Sequence, residues 1–114
     1  MKRTSSLLLL SLLSGCGAEA PAPARRGDPV ARAQGERAFL QGDWEAAAER
    51  FSLAAEAGDR EAGVWQGRAL MRLEQWGEAE RAFRSGLALP GESGFQARLG
   101  LGESLLARAA RRKP

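Results

Sequence analysis

Two segments of the chain carry the same pattern of small and bulky apolar residues, thirty-two positions apart. The shared positions are Gly35, Trp44, Ala47, Phe51 and Ala54 in the first copy, and Gly67, Trp76, Ala79, Phe83 and Gly86 in the second. Within each copy the apolar positions recur at helical spacing, with charged residues between them, which predicts amphipathic helices. Self-similarity at a fixed period of this length is typical of proteins built from stacked repeats.

Capping and turn residues divide the first copy into two helices. Asp28 followed by Pro29 predicts a helix start, because the carboxylate accepts hydrogen bonds from free amides and proline suits the first helical position. Gly42 then ends this helix, Asp43 caps the next, and Gly58 closes it. We therefore predict two antiparallel helices joined by a very short turn.

The second copy follows the same plan, and a third helical segment comes after it. The turn of the second copy falls at Glu74 and Gln75, and its end at Pro90, which cannot continue a helix. The segment 93–113 aligns Gly102 with Gly67 and has no second helix after it. We interpret this segment as a helix that caps the last apolar face, as helical repeats require.

The small residue, alanine and aromatic of each copy resemble the tetratricopeptide repeat (TPR). Gly35 and Ala47, like Gly67 and Ala79, stand twelve residues apart, which is the family spacing. The resemblance implies an all-α fold, a short solenoid of helical hairpins with about five helices. The period is 32 residues here, against about 34 in the family. This difference leaves the superhelical angle open.

The first sixteen residues have the layout of a bacterial export signal. Lys2 and Arg3 precede the apolar run 7–13, which is shorter than the roughly 20 apolar residues that span a bilayer. The four residues from Leu13 to Cys16 resemble the lipobox of bacterial lipoproteins, in which the cysteine receives a diacylglycerol and begins the mature chain. The alternatives are a simple secretory signal and a helix whose cysteine is incidental.

The predicted organisation has five parts. They are a lipoprotein signal peptide over 1–15, a lipidated cysteine with a Pro/Ala-rich tether over 16–27, repeats over 28–59 and 60–92, and a capping helix over 93–114. Pro21 and Pro23 exclude helix and sheet from the tether and favour an extended spacer that reaches roughly 30 Å. Arg25 and Arg26 either contact anionic head groups or are solvated, and two charges fall short of a polybasic cluster.

The lipobox resemblance also implies a location. In bacteria with two membranes, an aspartate after the acylated cysteine commonly retains a lipoprotein at the inner membrane, and this chain has Gly17 there. We therefore expect a lipid-anchored protein of the cell envelope, on the outer membrane and facing the periplasm where the organism has two membranes. We expect no cofactor besides the covalent lipid on Cys16.

The charge and the residue types present exclude several classes of function. Without Lys2 and Arg3 the basic residues fall from 17 to 15 against 14 acidic ones, a balance that gives no electrostatic footprint for nucleic acid. The chain has no histidine and one cysteine, so we expect no metal site, disulfide or catalytic triad, and no enzyme. Acidic pairs such as Glu45 and Glu49 solvate a helix face.

In the TPR family, the first helices of successive units line a concave groove that binds extended peptides or partner helices. The positions of this chain that match that face are Arg32, Glu36, Phe39, Leu40, Val64, Arg68, Met71, Arg72, Leu99, Glu103 and Leu106. Apolar side chains mixed with alternating charge suit a peptide. The alternative is that Phe39, Leu40, Met71 and Leu106 belong partly to the core. Trp44 and Trp76 stand at matching positions, which favours packing within each hairpin over a ligand box.

These patterns predict a membrane-anchored protein–protein interaction module. We expect a small TPR lipoprotein that recruits or positions a protein or peptide partner in the cell envelope, in a role of the pilus, secretion or outer-membrane assembly type. The alternative is a constitutive structural subunit of an envelope complex. Two repeats and a cap fall short of the three or so repeats that normally stack stably, so we expect a partner or self-association to complete the stack.

The predicted lipid anchor can be tested by changing one residue. Cys16→Ala should move the chain from the membrane fraction to the soluble fraction, because two or three acyl chains are needed for firm attachment. Fractionation followed by immunoblotting measures this. An alanine variant that still sediments fully with membranes would rule out lipidation as the anchor.

Overall fold

The computed structural model describes residues 27–112, and within this range the chain forms five α-helices and no strand. The helices are α1 (Pro29–Leu40), α2 (Trp44–Glu56), α3 (Arg60–Arg72), α4 (Trp76–Arg84) and α5 (Gly91–Arg111). The predicted all-α class is confirmed. The proposed signal peptide and Cys16 lie outside the described residues. Over the range 27–112, no helix is both long enough and apolar enough to cross a membrane.

Three aspartates cap the starts of α1, α2 and α3. Asp28 accepts hydrogen bonds from the amides of Val30 and Ala31, both at 3.1 Å. Asp43 accepts from the amide of Ala46 at 3.2 Å, and Asp59 accepts from the amide at the third position of α3 at 3.1 Å. Each bond satisfies an amide that has no partner within its helix. The predicted caps at Asp28 and Asp43 are confirmed.

The two hairpin turns share a backbone conformation but not a sequence. Gly42 in the first turn has φ +76°, which glycine adopts without steric cost, and Asp43 follows it as the cap. Glu74 holds the same place in the second turn with φ +60°, and Gln75 after it makes no side-chain capping bond. A left-handed conformation costs a residue with a Cβ atom about 1 kcal/mol or more. The second turn is therefore the less favourable one.

Short turns fold each helix back on the one before it. α1 packs on α2, α2 on α3, α3 on α4 and α4 on α5, and α5 also reaches back to α3. The core between these helices is mostly alanine, with Phe51 and Phe83 as its largest fully buried apolar side chains. The small residues bring the helix axes close together, and the two phenylalanines fill the remaining space.

Each phenylalanine ring lies directly against a glycine of the preceding helix. A Cβ atom added at Gly35 would stand 2.9 Å from Cδ1 of Phe51, and one at Gly67 would stand 2.8 Å from Cε1 of Phe83. Both distances are well below van der Waals contact. The matched positions of the two copies are therefore packing joints inside the hairpins.

In the third segment, the glycine that contacts a phenylalanine ring is not the one that aligns with Gly67. Gly67 contacts the helix that follows its own, and within residues 27–112 no helix follows α5, so the aligned Gly102 has no such contact. Gly102 is exposed, with no atom within 4 Å of a Cβ added there. Gly100 is buried instead, and its added Cβ would stand 2.7 Å from Cε2 of Phe83. The ring of Phe83 is thus enclosed by glycines on both sides, Gly67 on α3 and Gly100 on α5. Gly100 and Gly102 both stand in the interior of α5, and the contact with Phe83 distinguishes them.

Gly100 and Gly102, both in the interior of α5, give a matched pair of substitutions. Gly100→Ala should lower the free energy of unfolding by about 1–3 kcal/mol, because the methyl group overlaps a buried ring. Gly102→Ala should raise it by about 0.5–1 kcal/mol, because alanine favours a helix interior and meets open space. Urea denaturation of the two purified variants measures both. Equal effects, or the opposite order, would contradict the packing of Gly100 on Phe83.

Candidate partner-binding groove

Helices α1, α3 and α5 share one face of the array, and two neighbouring depressions lie on it. The larger encloses about 370 Å³, and we name it the α3–α5 groove. It is lined by Phe39, Arg68, Met71, Arg72, Trp76, Phe83, Gln96, Leu99, Gly100 and Glu103. The smaller, the α1–α3 hollow, encloses about 280 Å³ and is lined by Arg32, Glu36, Phe39, Leu40, Phe51 and Trp65. Phe39 borders both, so the two depressions form one extended surface.

An aromatic cluster around Phe39 forms the wall between the two depressions. The ring of Phe39 lies edge-on to Trp44 at 5.0 Å between centroids and edge-on to Trp65 at 5.3 Å. Trp65 in turn stacks on the buried Phe51 at 6.1 Å. Such edge-to-face and offset arrangements are the favoured geometries of aromatic pairs. The packing predicted for Trp44 is confirmed, whereas Trp76 borders the groove.

Two arginines of α3 lie on these aromatic rings. The guanidinium carbon of Arg68 is 5.1 Å from the ring centroid of Trp65 and 5.8 Å from that of Phe39. That of Arg72 is 5.0 Å from the ring of Trp44. Within residues 27–112, neither arginine forms an ion pair. Each contact is worth about 0.5–1 kcal/mol at an exposed site, which holds the charge in place without neutralising it.

Arg32 differs from these two arginines, because carboxylates surround it. Its Nη1 donates to Oδ2 of Asp59 at 2.9 Å and to Glu61 at 3.4 Å, and its Nε donates to Glu36 at 3.1 Å. Burial alone would lower the pKa of the guanidinium, but the hydrogen bonds to Asp59 and Glu36 raise the pKa above its ordinary value. Asp59 also caps α3. Arg32 therefore joins α1 to the start of α3.

Further polar contacts hold α5 against the rest of the array. Glu80 on α4 accepts from Arg108 at 2.6 Å and from Arg84 at 2.7 Å. Near the end of α5, Arg111 pairs with Glu74 and lies 5.7 Å from the ring of Trp76. These contacts hold α5 to α4 and to the turn between α3 and α4. This contact set positions the α5 wall of the groove.

Nine of the eleven residues predicted to line a groove border one of the two depressions. Val64 does not: it is 4% exposed, and it lines a third depression of about 80 Å³ between α3 and α5. Leu106 also borders neither depression, and its side chain is 73% exposed to solvent. Arg32 borders the hollow but is held by its carboxylate partners.

Sequence reasoning did not single out Trp65 or Gln96. Trp65 aligns with Ala33 in the first copy, so the repeat comparison gave no signal for it. Helical spacing could have found it, because Trp65, Arg68 and Arg72 stand at i, i+3 and i+7 on one face of α3. Gln96 has the same relation to Leu99 and Glu103 on α5.

Comparison with family models, curated proteins and solved structures finds no match to this chain. The described part is a small all-helical fold compatible with a TPR-like repeat. Over residues 27–112, no group of three or more histidine, cysteine, aspartate or glutamate side chains could hold a metal ion.

The assignment of Arg32 as a joint predicts a loss of stability on its removal. Arg32→Gln should lower the free energy of unfolding by about 1 kcal/mol, since a partly buried, charge-assisted network is lost. Arg37→Gln is the control, because Arg37 is exposed on the same helix and should change stability by less than about 0.5 kcal/mol. Urea denaturation compares the two variants. If Arg32→Gln leaves the free energy of unfolding unchanged, Arg32 does not act as a joint and its charge is available to a partner.

Proposed function

We propose that this chain is a TPR-type interaction module, anchored in a membrane by lipid on Cys16, that binds a segment of a partner protein in the α3–α5 groove. The observation that supports this most strongly is the pair of guanidinium groups on Arg68 and Arg72. Both lie on aromatic rings at the groove without a carboxylate partner inside the described range. Charge held in this way is prepared for an external carboxylate.

The rest of the groove lining specifies the kind of segment that fits. Met71 is half-buried in the lining, and Leu99 is 47% exposed, so both offer apolar surface to an incoming side chain. Gln96 and Glu103 add polar groups at the α5 wall that can accept or donate hydrogen bonds. The favoured occupant is therefore a segment with apolar side chains and one or two acidic residues. The apolar side chains supply affinity, and the acidic residues supply orientation.

The sequence of the N-terminal part supports a place in the cell envelope. A lipid at Cys16 and a proline-containing tether would keep the groove within roughly 30 Å of the bilayer. Confinement of this kind raises the effective concentration of a membrane-associated partner, so a modest intrinsic affinity suffices. Recruitment or positioning in a pilus, secretion or outer-membrane assembly apparatus would use such an arrangement.

The proposal is tested by finding a partner and then removing the two charges. Full-length chain solubilised in detergent is used for affinity purification, and the co-purified protein is identified and reduced to its binding segment. Arg68→Gln combined with Arg72→Gln should weaken binding of that segment by about tenfold or more, measured by isothermal titration calorimetry. The wild-type affinity should fall with rising salt.

The matched control removes the same charge elsewhere. Arg37→Gln combined with Arg81→Gln alters two exposed arginines that border neither depression, and it should leave the affinity within about twofold. Equal losses in the two double variants would overturn the groove as the binding site. Co-purification that survives high salt and is unaffected by either double variant would instead favour a constitutive structural subunit.

A further inference from the structure

The side of α5 that faces away from the array exposes a line of apolar residues. Phe95 is 52% exposed, Leu99 47% and Leu106 73%. Together with the exposed Gly102 and Ala109 they form a line that we name the outer stripe. The opposite side of the same helix is buried, at positions that include Ala97, Gly100 and Ser104. α5 is therefore apolar on two sides, and only one of them is covered.

The outer stripe has the spacing of a helix–helix seam. Its members follow one another at separations of four, three, four and three residues, from Phe95 to Ala109. This alternation keeps successive apolar positions facing a neighbouring helix over about two heptads. Exposed apolar side chains aligned along one side of a helix offer a surface to an apolar partner.

We propose that the outer stripe pairs with the outer stripe of a second copy of this chain, with the two α5 helices antiparallel. A two-fold axis between Gly100 and Leu101 would set Phe95 opposite Leu106 of the second copy. It would also set Leu99 opposite Gly102 of the second copy, where nothing lies within 4 Å of an added Cβ. A two-fold interface must be self-complementary, and this register pairs large residues with large ones and one bulky residue with an open space.

Charge favours the antiparallel direction. The first turn of α5 carries the exposed Glu92, whereas its end carries the exposed Arg112 beside Arg108 and Arg111, which pair with Glu80 and Glu74 of the same chain. Antiparallel pairing brings the acidic start of one helix beside the basic end of the other and also opposes the two helix dipoles favourably. Parallel pairing would place the two basic ends side by side and set Glu92 against its own copy.

The pairing shares Leu99 with the proposed partner-binding groove, but the two ends of the outer stripe lie outside that groove. Leu99 and Glu103 border the groove, but Phe95 and Leu106 border neither depression. Substitutions at these two positions therefore report on pairing alone. A seam of two heptads is smaller than a standard protein interface, so the dimer should depend on concentration.

Cysteine cross-linking between two differently tagged full-length chains tests the contact and its direction. Oxidation of a mixture of Phe95→Cys and Leu106→Cys chains should yield mixed dimers at least about fivefold in excess over dimers of either chain with itself. The wild-type chain, whose single cysteine is Cys16, reports any background link through that residue. A mixture of Leu53→Cys and Arg81→Cys chains, both exposed on other helices, is the positional control. Self-linked dimers in excess, or no link above the control, would overturn the proposal.

A charge placed in the seam gives a second measurement. Leu106→Glu should raise the dimer dissociation constant by about tenfold or more in light-scattering chromatography of the detergent-solubilised chain. Leu53→Glu is the control, because Leu53 is 43% exposed on α2 and should leave the dimer unchanged. An unchanged far-ultraviolet circular dichroism spectrum verifies folding of both variants. A dimer equally stable in the two variants, or a wild-type chain that is monomeric throughout, would refute the pairing.

Discussion

The array depends on the close contact between glycine and phenylalanine. Phe51 and Phe83 are fully buried, and each lies against a glycine where any side chain would collide with the ring. Because the ring occupies the space that a Cβ would take, the two helices of a hairpin approach closely and keep a fixed register. Gly100 repeats this contact from the far side of Phe83, which is how the last helix joins the stack.

The same close packing accounts for the two kinds of arginine on the shared face. Where α1 meets the start of α3, carboxylates of Asp59 and Glu36 surround Arg32, so its charge is used within the fold. Farther along α3 the neighbours of Arg68 and Arg72 are aromatic rings, which orient the guanidinium groups and leave their charge available. The contacts that stabilise the fold and the charges that are available for recognition thus lie about two helical turns apart along α3.

Local sequence signals predicted the elements well, because caps and turns act over a few residues. Asp28 and Asp43 cap helices, and the glycines of the two copies pack as their spacing indicated. The repeat did not reveal the contact of Gly100 with Phe83, since Gly100 stands outside the repeated pattern and its contact is tertiary. The anchor at Cys16 stays a prediction, because that residue lies outside the described range.

The candidate site was only partly predictable, because its lining depends on partners that are distant in the chain. Arg32 and Arg68 were both predicted to line the groove, and only the contact of Arg32 with Asp59, twenty-seven residues away, assigns Arg32 to the joint. Val64 has the apolar character of a groove residue, but the central position of α3 buries it. Trp65 stands outside the repeated pattern, so comparing the two copies could not reveal it.

The second hairpin turn has a consequence for motion in the groove. α4 is the shortest described helix at 9 residues, its cap position lacks a side-chain bond, and Glu74 before it has a positive φ. Yet α4 carries Phe83, the ring on which both Gly67 and Gly100 rest. The shortest described helix, which lacks a side-chain cap at its start, therefore supports the floor of the α3–α5 groove. Local opening should begin there, and amide hydrogen exchange along α4 should slow when the groove is occupied.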